Sequence, residues 1–179
     1  MGFIRKVYLI LATQLLFTSA ITAIPVASDD AADYLEDNIW ILIVASVFSI
    51  ALSCALVCVR KLARTVPTNY ILLGGFTLAE SLLVAYTAAA TTPRTVLMAA
   101  GLTAAIVVGL TAYAVTTKTD FTTCMAAAWM LGFLLLGFVL MALIFQNHVL
   151  TLVYCALAVM VFGFYLIIDT QLVVGGRTH

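Results

Sequence analysis

Six long apolar stretches separated by short polar connectors dominate the chain. Each has the roughly 20 residues that a helix needs to cross about 30 Å of hydrocarbon. None shows the regular alternation of polar and apolar residues that is typical of a barrel strand. The pattern therefore predicts six membrane-spanning helices, joined by connectors so short that neighbouring helices run antiparallel. The stretches cover approximately residues 3–24, 39–59, 70–90, 95–115, 123–145 and 149–174.

Composition supports the same fold class. The 179 residues are 65% apolar and only 9% charged, whereas soluble domains are about 45 to 50% apolar and about a quarter charged. A water-soluble domain, a nucleic-acid binder and a disordered tail are therefore excluded. The composition and the six predicted helices together indicate an all-α integral membrane protein embedded in the lipid bilayer. The length leaves room for a single polytopic domain, 1–179.

The basic residues predict the orientation in the membrane. With the N-terminus in the cytosol, seven of the eight lie on the cytosolic side and only Arg94 lies outside. Cytosolic loops are enriched in Lys and Arg, so both termini are predicted to be cytosolic. The first external loop is acidic, and we interpret it as a solvated connector. The alternative is that its charge concentrates cations at a pore mouth.

Ionisable groups inside spans are costly and each suggests a role. Glu80 lies near the middle of the third span, and Thr77 and Thr87 are predicted to share its helical face. This row of oxygens suggests an ion pathway for a cation or a proton. The alternative is a protonated Glu80 bonded to a neighbouring helix. Calcium prefers six to eight oxygen ligands, so only a weak transit site is expected.

Asp169 and Arg60 have opposite charge at similar predicted depths near the cytosolic side. A carboxylate beside a cation stays ionised, and protonation removes the attraction. We therefore hypothesise that the two residues form a pH sensor and latch between the second and sixth spans. The alternative is an Arg60 that reaches the interface and an Asp169 with a structural role.

Other chemistry has little support. The four cysteines have no histidine at ligand spacing, and no nucleophile with its base, phosphate-binding loop or zinc motif occurs. We expect no enzyme, no cofactor and no tight metal site. Gly101, Ala105 and Gly109 form a stripe of small residues that predicts close helix packing within the bundle, with a dimer contact as the alternative.

Four segments together resemble a known family. The sixth span and its exit read FGFYLIIDTQLVVGG, and the chain begins with FIRKVYLILATQLLFT. VPTNYILLGGFTLAESLLVAY enters the third span, and LTAYAVTTKTDFT joins the fourth and fifth. In order and spacing these resemble the transmembrane Bax inhibitor motif family, and within it the Lifeguard branch. The resemblance covers nearly the whole chain.

The resemblance implies a seven-helix fold with six helices around a central one, in the endoplasmic reticulum or Golgi membrane. It implies a pH-sensitive calcium leak channel, with calcium as the permeant ion, that lowers store calcium and opposes programmed cell death. The alternative is a non-conducting adaptor that acts through apoptosis-regulating membrane proteins. A proton-coupled transporter is less favoured. Asp169 matches the first of two sensor aspartates, Arg60 the latching arginine, and Glu80 a glutamate of Lifeguard-type third spans.

One departure from the family pattern concerns the end of the sequence. In the family, the glycine pair matching Gly175 and Gly176 precedes a further apolar helix with the second sensor aspartate, whereas this sequence ends at His179. We therefore expect a six-span bundle that resembles the seven-helix fold without its last helix. It is interpreted as a truncated product, with a natural six-span variant as the alternative.

Overall fold

A computed structural model describes residues 2–59, 61, 65–145 and 148–175. This part of the chain contains seven α-helices and one short 3-10 helix, and no strand. Six of the α-helices are long and apolar enough to span a membrane, which confirms the predicted all-α, six-span fold class. The helices are α1 (Gly2–Ala27), α2 (Asp29–Asp37), α3 (Ile39–Cys58), α4 (Thr68–Ala89), α5 (Pro93–Thr116), the 3-10 helix (Phe121–Cys124), α6 (Met125–Phe145) and α7 (His148–Gly175).

The chain forms two compact units, residues 1–99 and residues 100–179. The first contains α1 to α4 and the start of α5. The second contains the rest of α5, the 3-10 helix, α6 and α7. The interpretation of the whole chain as a single domain stays a prediction.

In the first unit, α1 and α4 run parallel. Lys6 lies over the ring of Tyr70, and Thr18 is bonded to Ser81. The second contact follows the first by a similar number of residues on both helices, so the helices advance in the same direction. This is the arrangement that an up-and-down order of spans requires of the first and third spans.

The helices α3 and α4 run antiparallel in the same unit. Ser49 contacts Glu80, while Leu52, further along α3, lies beside Gly75, earlier on α4. A Cβ atom at Gly75 would lie 3.3 Å from Leu52 Cδ1. Glycine at this position therefore lets the two helices approach closely.

The acidic loop between the first two spans is helical rather than an irregular connector. Its residues Asp29–Asp37 form α2, which packs against α1, α3 and α4. Ala31, Ala32 and Leu35 are half-buried and form the inner face. Every acidic side chain of the loop is exposed, and Asp29 and Asp30 lie in the first turn, where negative charge favours a helix. The acidic sequence is therefore the solvent-facing side of an amphipathic helix.

In the second unit, α6 and α7 form an antiparallel pair. Tyr165 on α7 donates a hydrogen bond of 2.6 Å to the carbonyl oxygen of Ala128 on α6. Ala128 and Ile168 are almost completely buried. The 3-10 helix joins this pair through Phe121, whose ring lies 6.2 Å from that of Phe164 on α7.

The small-residue stripe of α5 takes no part in close packing inside the second unit. Gly101, Ala105 and Gly109 are all exposed. A Cβ atom at either glycine would meet no described atom within 4 Å. The expectation that this stripe brings helices together within the bundle is therefore not met in that unit.

Candidate functional site

Glu80 lies near the middle of α4 and is held by a neighbouring helix. Twelve residues precede it in α4 and nine follow it. The hydroxyl group of Ser49 on α3 donates a hydrogen bond of 2.5 Å to Glu80 Oε1. Ser49 is buried and Glu80 half-buried. The sequence placed this carboxyl group at mid-membrane depth, and the structure adds the hydroxyl group that holds it.

A row of polar side chains joins α1 to α4 near Glu80. Gln14 Nε2 donates a hydrogen bond of 2.5 Å to Thr77 Oγ1. One turn along both helices, the hydroxyl groups of Thr18 and Ser81 are 2.9 Å apart. Thr77 and Ser81 are buried. We call these four residues the polar row.

The α4 hydroxyl groups of the polar row also bond to their own helix. Thr77 Oγ1 donates to the carbonyl oxygen of Leu73, and Ser81 Oγ donates to that of Thr77. Because the Ser81 proton is used in this way, Thr18 must be the donor in its bond with Ser81. The hydroxyl groups of the polar row therefore all have partners, as expected where water is excluded.

Thr22, one turn beyond Thr18 on α1, is the exception. Its Oγ1 atom is buried and has no hydrogen-bond partner in the described part of the chain. Gln14 pairs with Thr77 and Thr18 with Ser81, so the same spacing sets Thr22 opposite Ala85, which has no polar side-chain atom. The polar row ends where α4 changes from serine to alanine.

The predicted row of oxygens along the third span was wrong at Thr87. Thr87 was expected to continue the face of Thr77 and Glu80, but it is exposed and its hydroxyl group bonds to the carbonyl oxygen of Leu83 on its own helix. Thr77 bonds to α1, whereas Glu80 bonds to α3. Thr77 and Glu80 therefore face different neighbouring helices and do not form one row along α4.

Asp169 lies in the second unit, six residues before the end of α7. Its side chain is exposed and lines a groove of about 580 Å³ between α6 and α7. Tyr154 and Tyr165 line the same groove, and its other lining residues are apolar or glycine. In the described part of the chain, Asp169 forms no ion pair or hydrogen bond. Arg60 lies outside the described residues, so the latch stays a prediction.

Gln171 fixes the exit of α7 to the loop before α6. Its Oε1 atom accepts a hydrogen bond of 2.8 Å from the Phe121 backbone N–H. Its Nε2 atom donates to the carbonyl oxygen of Thr119 at 2.8 Å and to that of Ala114 at 3.4 Å. The Gln171 side chain, two residues after Asp169, thus links α7 to the end of α5 and to the loop before α6.

Metal-binding chemistry is sparse in the described residues. No group of three or more His, Cys, Asp or Glu residues is close enough there to hold a metal ion. The four cysteines are exposed and unpaired. Glu80 therefore meets the hydroxyl group of Ser49 rather than a further carboxylate.

Comparison with known proteins identifies the family. The family model described as "Inhibitor of apoptosis-promoting Bax1" matches residues 1–179. The chain belongs to the Bax inhibitor family. It is a multi-pass membrane protein, as the match and the six apolar helices together show.

Its similarity to individual members of the Bax inhibitor family spans almost all of its length. It is 33% identical to human "Protein lifeguard 3" over 181 residues, which cover 99% of this chain and 58% of the relative. It is also 33% identical to mouse "Protein lifeguard 3" over 182 residues, which cover 99% of this chain and 59% of the relative. "Golgi anti-apoptotic protein" of Vaccinia virus (strain Lister) is 36% identical over 96% of this chain and 71% of its own length. No solved structure matches.

Several residues of the site were not singled out from the sequence of this Bax inhibitor family member. Gln14 and Thr18 lie four residues apart on an otherwise apolar span, and this spacing puts them on one helical face. That signal was available, but it does not say which helix the face meets. Ser49 carried no comparable signal, because serine is common in membrane helices.

Proposed function

We propose that this chain opposes programmed cell death from an endoplasmic reticulum or Golgi membrane by letting calcium leak passively. Two observations support the cell-death role. The family is described as an inhibitor of apoptosis-promoting Bax1, and the viral relative is named as a Golgi anti-apoptotic protein. The chain spans 58% of human Lifeguard 3, so the activity of the longer protein enters here as a proposal.

The observation that carries the calcium leak is the position of Glu80. A carboxyl group at mid-membrane depth is costly, and such residues usually mark ion or proton pathways. Here Ser49 on α3 holds it, and Thr77 and Ser81 of the polar row lie within three residues of it on α4, towards α1. One carboxylate with a few hydroxyl groups binds calcium weakly. Weak binding suits a leak, because a permeant ion must also leave its site.

Asp169 supplies the proposed pH dependence. We propose that its carboxylate pairs with Arg60 near the cytosolic side and that protonation releases the pair. Flux then rises as the cytosolic pH falls, because the neutral acid no longer attracts the guanidinium group. The uneven distribution of basic residues supports the cytosolic placement of this end.

The direct test is calcium flux into liposomes that contain the purified chain and an enclosed calcium dye. We expect flux above that of empty vesicles, and we expect Glu80→Gln to reduce it at least tenfold. The matched control is Glu36→Gln, which makes the same change on the exposed face of α2. Absence of flux at every pH from about 6 to 8 in the unmodified chain would contradict the leak.

The pH arm of the experiment uses Asp169→Asn. We expect this variant to conduct with no dependence on pH, because an amide does not titrate in this range. Asp33→Asn on α2 is the control and should keep the pH dependence of the unmodified chain. An unchanged profile in Asp169→Asn would remove Asp169 from the sensor while leaving the role of Glu80 intact.

A second candidate is a non-conducting adaptor that binds apoptosis-regulating proteins in the same membrane. The exposed face of α5 favours it, because Gly101 and Gly109 leave room for the close approach of another helix. A cell-survival assay separates the candidates. If Glu80→Gln abolishes flux but protects cells fully, the adaptor accounts for the protection. If protection falls with flux, the leak accounts for it.

A further inference from the structure

A groove opens between the N-terminal halves of α1 and α4 in the first unit. It has a volume of about 320 Å³. Lys6 and Tyr70 line it near the helix ends, and Gln14 and Thr77 line it deeper in the membrane. Glu80 and Asp169, the two residues that carry the proposed leak and its pH dependence, are absent from its lining, although it shares Gln14 and Thr77 with the polar row.

The length of the groove matches one leaflet of a bilayer. Lys6 and Gln14 are eight residues apart on α1, which corresponds to about 12 Å along the helix axis. Half of the roughly 30 Å hydrocarbon core is about 15 Å. The groove therefore runs from the membrane surface through most of one leaflet, the depth that a phospholipid acyl chain occupies.

The deeper lining presents mainly hydrocarbon to an occupant. Thr13 Oγ1 bonds to the carbonyl oxygen of Leu9, and Gln14 Nε2 bonds to Thr77. These groups already have partners within the protein. Gly74 adds open space, since a Cβ atom there would meet no described atom within 4 Å. An apolar chain fits this part of the groove better than a polar ligand.

The mouth of the groove favours an anion. Lys6 Nζ lies 5.5 Å from the centroid of the Tyr70 ring, so a cation is held at the surface beside an aromatic residue typical of the membrane interface. Arg5 neighbours Lys6, and Lys61 follows α3, which ends at the same side of the unit. Residues 1–28 and 39–79 contain no Asp or Glu. Positive charge at this end has no carboxylate from these segments to neutralise it.

We propose that this groove binds one anionic phospholipid, with its phosphate headgroup at Lys6 and one acyl chain along Gly74. The negative charge of the phosphate pairs with the Lys6 ammonium group, and the acyl chain fills the space that α1 and α4 leave open. The site is a lipid site of the leaflet at the N-terminal end of α1.

The test measures lipid that stays on the protein. The chain is reconstituted in nanodiscs of phosphatidylcholine with or without phosphatidylserine, released into detergent, and examined by native mass spectrometry. We expect one retained phosphatidylserine in preference to phosphatidylcholine. Lys6→Gln should lower this retention about fivefold, the effect of removing one basic group near a membrane surface. Gly74→Leu should lower it as much by filling the groove without changing charge.

Two matched controls make the result decisive. Arg94→Gln removes an equal charge at the opposite end of α4 from the groove mouth, and Gly101→Leu adds the same side chain at another open glycine. Both should retain phosphatidylserine as the unmodified chain does. Equal loss in Arg94→Gln and Lys6→Gln would reduce the effect to general surface charge and overturn the site. Full retention in Gly74→Leu, or displacement of the lipid by inorganic phosphate, would also overturn it.

Discussion

Ser49 on α3 bonds to the carboxyl group of Glu80 on α4, whereas Ser46, one turn earlier, bonds to its own helix. The first hydrogen bond is 2.5 Å long and joins two helices, and the second runs from Ser46 Oγ to the carbonyl oxygen of Leu42 at 2.7 Å. Two serines on one apolar helix thus have different roles. Ser49 holds a carboxyl group that is predicted to lie at mid-membrane depth, whereas the Ser46 hydroxyl group bonds only within its own helix.

Replacing Ser49 by alanine should therefore affect both stability and flux. Hydrogen bonds between membrane helices contribute about 0.6 kcal/mol on average and up to about 1.7 kcal/mol. We expect Ser49→Ala to lower the free energy of unfolding by about 1 kcal/mol and to change calcium flux in liposomes, because Glu80 loses its partner. Ser46→Ala should leave both measurements unchanged, and similar effects of the two variants would contradict the assignment.

Two threonines one turn apart on α1 should respond differently to the same substitution. Thr18→Val removes the donor to buried Ser81 and should destabilise the chain by about 1 kcal/mol. Thr22→Val removes a buried hydroxyl group that has no described partner, so the variant should be neutral or more stable. Thermal unfolding in detergent micelles compares them, and a loss of stability in Thr22→Val would show that its hydroxyl group is bonded in solution.

Gly132 and Gly137 on α6 provide a matched pair for helix packing. A Cβ atom at Gly132 would lie 2.8 Å from Tyr165 Oη, whereas one at Gly137 would meet no described atom within 4 Å. Gly132→Ala should therefore displace the Tyr165 hydroxyl group from the Ala128 carbonyl oxygen and lower the unfolding temperature. Gly137→Ala should raise it slightly, because alanine favours a helix. In a chain that already carries Tyr165→Phe, Gly132→Ala should lower the unfolding temperature much less, because the hydroxyl group that it would displace is absent.

Gln171 allows its two hydrogen-bonding ends to be tested separately. Gln171→Glu keeps an acceptor for the Phe121 N–H but turns a carboxylate oxygen towards the Thr119 carbonyl oxygen, while Gln171→Met removes both functions. We expect both variants to lose about 1 to 3 kcal/mol of stability. Hydrogen exchange at the Phe121 amide should stay slow in Gln171→Glu and become fast in Gln171→Met. Equal exchange in the two variants would contradict the contact with Oε1.

Hydrophobic patterning alone was enough to predict the fold class. An apolar segment of about 20 residues has to be a helix in lipid, because its backbone can be satisfied only within the segment. The same reasoning placed Glu80 deep in the third span and Asp169 near the end of the last one. It missed α2, whose half-buried face of Ala31, Ala32 and Leu35 is short and lies in a strongly acidic segment.

The tertiary structure decided which side chains meet. Helical periodicity puts Gln14 and Thr18 on one face, but only the packing of α1 against α4 supplies Thr77 and Ser81 as their partners. Thr87 shows the opposite case, since it lies on α4 yet faces away from the packed helices. The sequence by itself determined that this protein crosses a membrane and which charged groups fall within its spans, because both follow from transfer of residues out of water. The partners of those groups depend on helix rotation and register, which arise from contacts between segments far apart in the chain.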